Sequence, residues 1–253
     1  MEVDFLDVGQ GDAVLIKAPG AGNILIDGGP DSSVIKRLGE VLPWWDRKID
    51  LMVLTHPHAD HLTGEIEVMK RYKVRRILYT GVTHTSSNYL SWLETARNKK
   101  IPVTIIDRPQ AIKLGKADFK IIYPSKSFAG LAAENLNNTS IAGILEFGKT
   151  RFFLTGDIEE DIEKELAASG MDLRANVLKV GHQGSNTSTG EEFLEKVKPE
   201  IAVIEVGAGN EYGHPSPRTL KKLERIGAKI MRTDLEGTIR LISDGERVNI
   251  KGD

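Results

Sequence analysis

The stretch Leu51-Met52-Val53-Leu54-Thr55-His56-Pro57-His58-Ala59-Asp60-His61 joins two unlike halves. Its first four residues are apolar and suit a strand buried on both faces. Three histidines and an aspartate then fall within six positions. A transition-metal ion needs nitrogen and oxygen donors at about 2.0–2.2 Å, converging on one point. In an extended or turning segment, side chains i and i+2 can point the same way, so His56 and His58 can share one ion. Asp60 and His61 then face a second ion as the chain turns into a helix. A solvated polar loop is the plain alternative. It accounts neither for the density of imidazoles nor for their place directly after a buried strand.

Working outward, short β-branched runs at 3–7, 13–17 and 23–26 are bounded by Gly9-Gln10-Gly11-Asp12 and Asp27-Gly28-Gly29-Pro30, and predict a meander of strands. Ser32 or Ser33 can cap a helix to about residue 42, ended by the bulky Pro43-Trp44-Trp45. A second helix is expected at about 64–72. Further strands are expected at 76–79, 103–106, 119–123, 141–147, 151–154, 176–180, 201–205, 229–231, 238–242 and 247–250, and helices at 158–168, 190–197 and 216–226. This alternation predicts an α/β (α+β) chain with two sheets face to face and helices outside. No linker or low-complexity stretch interrupts it, so residues 1–253 are expected to form a single domain.

Other chemistry-bearing residues sit in similar settings. Leu154-Thr155-Gly156-Asp157 reads as a strand ending in Gly-Asp, and Leu178-Lys179-Val180-Gly181-His182 as a strand ending in a histidine. Alone, Asp157 reads as a helix N-cap and His182 as a turn residue; they gain meaning by joining the first cluster. His84 lies in a Thr/Ser-rich loop and reads as a surface residue. Gly143-Ile144-Leu145-Glu146-Phe147-Gly148-Lys149-Thr150 matches a phosphate-binding pattern, but strand-like residues occupy its middle and follow it, so Gly148-Lys149 reads as a hairpin turn. Basic clusters lie at 70–76, at Lys99-Lys100, and along Arg218, Lys221, Lys222 and Arg225. The last set has helical spacing and can steer a phosphate backbone; solvated helix faces are the favoured reading of each.

Composition narrows the chemistry. There is no cysteine, which excludes disulfides, thiolate metal sites and cysteine nucleophiles, and leaves histidine and carboxylate as metal ligands. A net charge of −2 excludes a global basic field, so a polyanionic substrate would depend on local patches and the metal. No apolar run approaches the roughly 20 residues of a membrane-spanning helix, and no signal peptide is visible. No membrane contact by this chain itself is expected.

The series Asp27-Gly28, His56/His58/Asp60/His61, Gly156-Asp157 and His182, in that order, resembles the metallo-β-lactamase superfamily. Several segments are more specific: 5–13 (FLDVGQGDA), 137–140 (NNTS), 178–185 (LKVGHQGS) and 212–217 (YGHPSP) resemble the metallohydrolase domain of the competence protein ComEC. The resemblance implies a four-layer αββα sandwich binding two divalent metal ions, zinc or manganese, with a single ion possible. It implies that His56 and His58 hold one ion, Asp60 and His182 the other, with His61 beside it and Asp157 bridging. Asp60 and His214 become the catalytic candidates, and Asp27, Asp12, Asn138, Ser140, Gln183 and Ser185 second-layer or substrate residues. For His214, protonation of a leaving group stands level with a structural role in the turn entering the helix after Ser216. Two departures stand out. No histidine precedes the Asp157 strand, where 134–140 reads ENLNNTS; the loss of a nitrogen donor shifts preference toward manganese or magnesium. Gln183 stands where a second consecutive histidine is frequent.

The implied activity is hydrolysis by metal-activated water, with phosphodiesters and DNA in first place. A small acyl substrate (a β-lactam or thioester) and a non-catalytic binding module of a DNA-uptake protein are the alternatives. The rest of a membrane DNA-uptake channel is a possible partner. The start at the first strand suits an excised domain, which would lie outside the cytoplasmic membrane, as well as a free-standing cytoplasmic relative.

Overall fold

Residues along a strand alternate between two hydrophobic environments, and that alternation builds the layers. In the computed structural model, which describes residues 1–252, Val14, Ile16, Ile24, Ile26, Leu51 and Val53 point into one core. They meet Phe119, Leu145, Phe152, Leu154 and Val177 there. Their neighbours Leu15, Leu25 and Met52 face the other way, against Val34, Leu38, Leu62, Met69 and Trp92. On the second sheet Ile144, Phe153 and Leu178 pack against Leu166, Phe193 and Leu223 in the same manner. The layers are therefore helix, sheet, sheet, helix: the αββα sandwich of the metallo-β-lactamase fold.

The first sheet has eight strands, in spatial order Val248–Ile250, Ile239–Ser243, Glu2–Phe5, Val14–Ala18, Gly22–Ile26, Leu51–Val53, Ile77–Tyr79 and Val103–Ile105. It is antiparallel up to Gly22–Ile26 and parallel beyond. The second has seven: Lys229–Arg232, Ile201–Ile204, Val177–Lys179, Thr150–Leu154, Ala142–Phe147, Ala117–Tyr123 and Gln110–Leu114. Its first four are parallel neighbours, the rest antiparallel. Phe147 pairs with Thr150 across the two-residue Gly148-Lys149 turn, so the phosphate-loop pattern is a hairpin.

Three differences from the expected elements matter. The second helix begins at Ala59, not near Gly64, and runs Ala59–Arg71. His58 is extended (φ −76°, ψ 150°) and stands at the cap, so Asp60 and His61 ride on the first turn, where a carboxylate suits the positive helix end. A helix Ser87–Asn98 follows the Thr/Ser-rich loop; it buries Tyr89, Trp92 and Ala96, spaced i, i+3, i+7, a helical stripe that the intervening polar residues obscure. The edge strand Gln110–Leu114 is mostly exposed and lacks an alternating pattern.

The Ala59–Arg71 helix lies backbone to backbone on the turn after Gly22–Ile26. Gly64 N donates to Gly29 O at 2.9 Å, and Gly28 N to His61 O at 2.7 Å. A Cβ on Gly64 would strike the Gly28 carbonyl oxygen and lie 2.6 Å from Gly28 C and 2.8 Å from Asp31 O. Every atom it meets is backbone, so the helix itself would have to move. Gly64→Ala is expected to cost about 2–3 kcal/mol, and to separate Asp27 from His61. Thermal melting and metal affinity check both parts; an unchanged melting temperature would contradict the close approach.

A buried acid on the opposite face makes a pH prediction. Glu163 accepts from Thr189 N and Gly190 N, each at 2.7 Å, at the start of the helix Glu191–Val197. Burial raises its pKa to about 7 from an ordinary 4.5, against the pull of those two donors. The folded state therefore holds a proton between pH 4.5 and 7 that the unfolded chain has released. Its stabilising contribution is complete below 4.5 and is lost as pH rises through about 7. Relative to Glu163→Gln, wild-type unfolding free energy should fall by about 2–3 kcal/mol across that window. Parallel curves for the two proteins would refute this.

Candidate metal centre

The strand Leu51–Val53 leads through Leu54 into Thr55 and His56, both buried. His56 Nε2 and His58 Nδ1 stand 3.0 Å apart, the i, i+2 arrangement of an extended segment. His61 Nε2 lies 3.2 Å from Asp157 Oδ2 and 3.6 Å from Asp60 Oδ2. His56 Nε2 is 4.0 Å from the same Asp157 oxygen. One donor atom from each of His56, His61 and Asp157 falls within 4.8 Å of the others. Segments more than a hundred residues apart thus deliver their donors to one rim, at the carboxyl ends of the parallel strands of both sheets.

Each buried imidazole is held from behind. Thr55 Oγ1 donates its single proton to Asp27 Oδ2 at 2.7 Å and so can only accept from His56 Nδ1, 3.1 Å away. That places the proton on Nδ1 and leaves Nε2 as a forward lone pair. Ser140 Oγ stands behind the same Nδ1 at 3.3 Å and accepts from Asp157 N at 3.1 Å. Asp27 Oδ2 lies 2.8 Å from His61 Nδ1, so His61 also presents Nε2 forward. Carboxylate and hydroxyl groups behind a histidine fix its ring and tautomer, as metal ligation requires.

Asp157 Oδ1 accepts from His182 N at 3.2 Å. To reach it the backbone adopts left-handed conformations at His182 (φ 48°) and Gln183 (φ 51°), costing roughly 1–2 kcal/mol each. Gln183 Nε2 donates to Asp60 Oδ2 at 2.8 Å, and Gln183 Oε1 accepts from Gln10, whose own Oε1 accepts from Gly207 N at 3.0 Å. His182 Nδ1 lies 3.2 Å from Thr187 Oγ1 and 3.5 Å from Glu159 Oε1. The His214 ring is 5.6 Å from that of His182 and stacks on Tyr212 at 5.8 Å. His58, Asp60, Asp157, His182, Gln183 and His214, with Gln10, Pro30, Ala59 and Tyr212, line one cleft of ≈ 520 Å³. Asn138 and Ser185 lie off it: Asn138 Oδ1 accepts from Glu159 N at 2.9 Å, and Ser185 Oγ meets Thr187 Oγ1 at 3.1 Å. His84 is half-buried, bonded to Ser86 away from the cleft. Of the basic set on the helix Pro217–Arg225, Lys222 is buried against Glu160 and Thr189 O and Arg225 pairs with Glu191 at 2.7 Å, while Arg218 and Lys221 stay exposed.

Gln10, Tyr212 and Lys179 fall inside the segments 5–13, 212–217 and 178–185, but no role attaches to them until the structure brings them to the centre. Lys179 is fully buried beneath the cluster, paired with Asp12, 3.3 Å from Gly156 O and 3.9 Å from Asp157 Oδ1. Glu205, also buried, accepts from Ala13 N at 2.9 Å. One ammonium thus serves several acids. Burial would lower the Lys179 pKa, but Asp12, Asp157 and Glu205 raise it. Burial pushes Asp12 well up and Glu205 to about 7, in spite of Lys179. At Asp157 burial is outweighed by His61 above all, with Lys179 beside it, and the carboxylate is held ionised. Burial drives His56 the other way, well below its ordinary value, so the ring is neutral and fit to ligate.

A two-sheet sandwich whose strand ends converge imidazoles and a carboxylate in one cleft defines a metal-dependent hydrolase of the divalent-metal kind. The chain belongs to the metallo-β-lactamase superfamily, whose profile matches residues 6–207. It is 33% identical to ComE operon protein 3 of Bacillus subtilis, over 94% of this chain and 32% of that protein. It is 29% identical to Recombination protein 2 of Haemophilus influenzae, over 99% and 30%. Competence protein ComA of Neisseria gonorrhoeae is 27% identical, over 94% and 32%. The chain spans about a third of the length of these relatives. Among solved structures, Igni18, a metallo hydrolase from Ignicoccus hospitalis, superposes with TM-score 0.62 at 16% identity, over 96% of this chain and all of that one. The metallo-β-lactamase fold protein YhfI of Bacillus subtilis gives 0.55 at 12%, over 92% and 96%. At such identities these two speak for the fold alone.

Proposed function

We propose that this chain is a metal-dependent phosphodiesterase that cleaves DNA, serving uptake of DNA. The observation that carries the reading is the set of forward-facing donors, His56 Nε2, His58 Nδ1, His61 Nε2 and Asp157 Oδ2, each of the two buried rings fixed from behind. His56, His58 and Asp157 would hold one ion; Asp60, His61 and His182, with Asp157 shared, a second. Bound there, divalent ions polarise a phosphoryl oxygen and make water nucleophilic near neutral pH. The first ion has two nitrogen donors, an oxygen-richer set that favours manganese over zinc.

The chain's own side chains do the rest. Gln183, anchored through Gln10 to Gly207 N, holds Asp60 in place. His61, with Lys179 behind it, keeps Asp157 ionised, and the His182 N–H holds its Oδ1. His214, in the cleft beside His182, is placed to give a proton to a departing oxygen. The names of the relatives, concerned with competence and recombination, support DNA as the phosphodiester. The test is purified chain with manganese or with zinc, offered DNA and bis(4-nitrophenyl) phosphate. Hydrolysis of both is expected; turnover of neither would end the proposal.

A further inference from the structure

We propose that the end of the molecule remote from the metal centre docks on an anionic phospholipid surface, through Trp44 and Trp45. The helix Ser33–Val41 begins beside the Asp27–Pro30 turn at the centre and carries the chain away from it for nine residues, roughly 13 Å. It ends in a tight turn closed by Asp46 N donating to Pro43 O at 2.8 Å. The two central residues of that turn are Trp44 and Trp45, 79% and 69% exposed, the largest apolar surfaces the fold leaves open. An indole costs little to bury at a bilayer interface, where its ring meets acyl chains and its N–H meets headgroups.

The acids that flank the pair in sequence are partnered, Glu40 by Arg37, Asp46 by Asn23, and Asp50 by Lys48 and Arg75, whereas three nearby cations are not. Arg47 sits over the Tyr72 ring at 5.4 Å, and Lys73 N donates to Arg47 O at 2.8 Å, so the next strand brings a second cation alongside. Arg47, Lys73 and Arg76 are exposed and have no carboxylate partner among the described residues. Asn23 ties this turn to the adjoining hollow: its Nδ2 donates to Asp46 Oδ2 at 2.8 Å and its backbone N to Asp50 Oδ2 at 3.3 Å. Asp50, Arg75, Arg76 and Lys113 line that hollow, of ≈ 350 Å³, open enough to admit a phosphate headgroup.

Charge and shape together choose the occupant. A nucleic acid would stack successive bases on parallel faces, but the two indoles meet edge to face, 87° apart at 5.6 Å, and offer no common platform. Basic residues beside interfacial aromatics are the composition that binds anionic lipid. No helix of the described residues is long and apolar enough to cross a membrane, and an interfacial contact needs none. The expectation of no membrane contact, drawn from the absence of a spanning run, does not reach this case.

The test is sedimentation of the whole chain with phosphatidylglycerol-containing vesicles and with pure phosphatidylcholine vesicles. Binding is expected to the first alone, to weaken with added salt, and to shift indole emission to the blue. The Trp44→Ser/Trp45→Ser double variant should lose about tenfold or more of that binding, with melting and bis(4-nitrophenyl) phosphate turnover unchanged. No binding to anionic vesicles, equal binding by the double variant, or a loss by the variant of DNA affinity in place of vesicle affinity would each overturn the proposal. The vesicle assay needs no metal or substrate, so its result is independent of the hydrolase reading.

Discussion

Asp157→Ala should lower kcat/KM for phosphodiester hydrolysis by roughly a thousandfold or more, on the order of 4 kcal/mol of transition-state stabilisation. Its Oδ2 lies 3.2 Å from His61 Nε2 and 4.0 Å from His56 Nε2, and its Oδ1 secures the backbone of His182. Removal therefore takes a donor from both proposed ion sites and releases the loop that bears another. Metal content, measured alongside activity, should fall in step. An Asp157→Ala protein with wild-type turnover would remove this carboxylate from the chemistry. Full metal content with no activity would confine it to orienting the substrate. Asp157→Asn, which keeps the shape and one oxygen, should retain more metal than the alanine variant and little more activity.

The second large effect concerns stability. Lys179→Met removes the only cation beneath the centre among the described residues and leaves buried Asp12 and Glu205 with like-charged company. Breaking a buried pair by deleting one partner typically costs about 3–5 kcal/mol. For a chain of this size that is roughly 10 °C or more in melting temperature. Protonation of Asp12 and Glu205 offsets part of the loss, so the deficit should shrink as pH falls. Adding Asp12→Leu, which deletes the stranded acid, should recover a good share of it. A Lys179→Met protein that melts with wild type would mean that the acids are already neutral and that Lys179 compensates nothing.

These two residues also mark where the sequence could and could not be read. Asp157 is visible because Gly-Asp closes an apolar strand and completes a spaced series of histidines and aspartates. The role of Lys179 is not: it stands in the quoted 178–185 segment as a strand lysine, and only the parallel pairing of its strand beside Thr150–Leu154 carries its ammonium under Asp157. Gln10 and Gly207 meet by the same kind of long-range closure. Trp44 and Trp45 read locally as the bulky end of a helix. Their exposure depends on what the rest of the chain fails to bring over them, which no local pattern records.

The sequence by itself determined the layers and the chemistry: period-two alternation chose which face of each strand is buried, glycines and prolines placed the turns, and histidines with aspartates, in a chain free of cysteine, set the donor types. Only the tertiary structure decided where those donors point. It started a helix at Ala59, so that Asp60 and His61 ride on its first turn, and it twisted His182 and Gln183 into left-handed backbone against Asp157. The physical reason is range. Hydrophobic periodicity and turn chemistry act between near neighbours, whereas the direction of a buried side chain is set by charges and close contacts that the chain meets only after its two sheets have closed on each other.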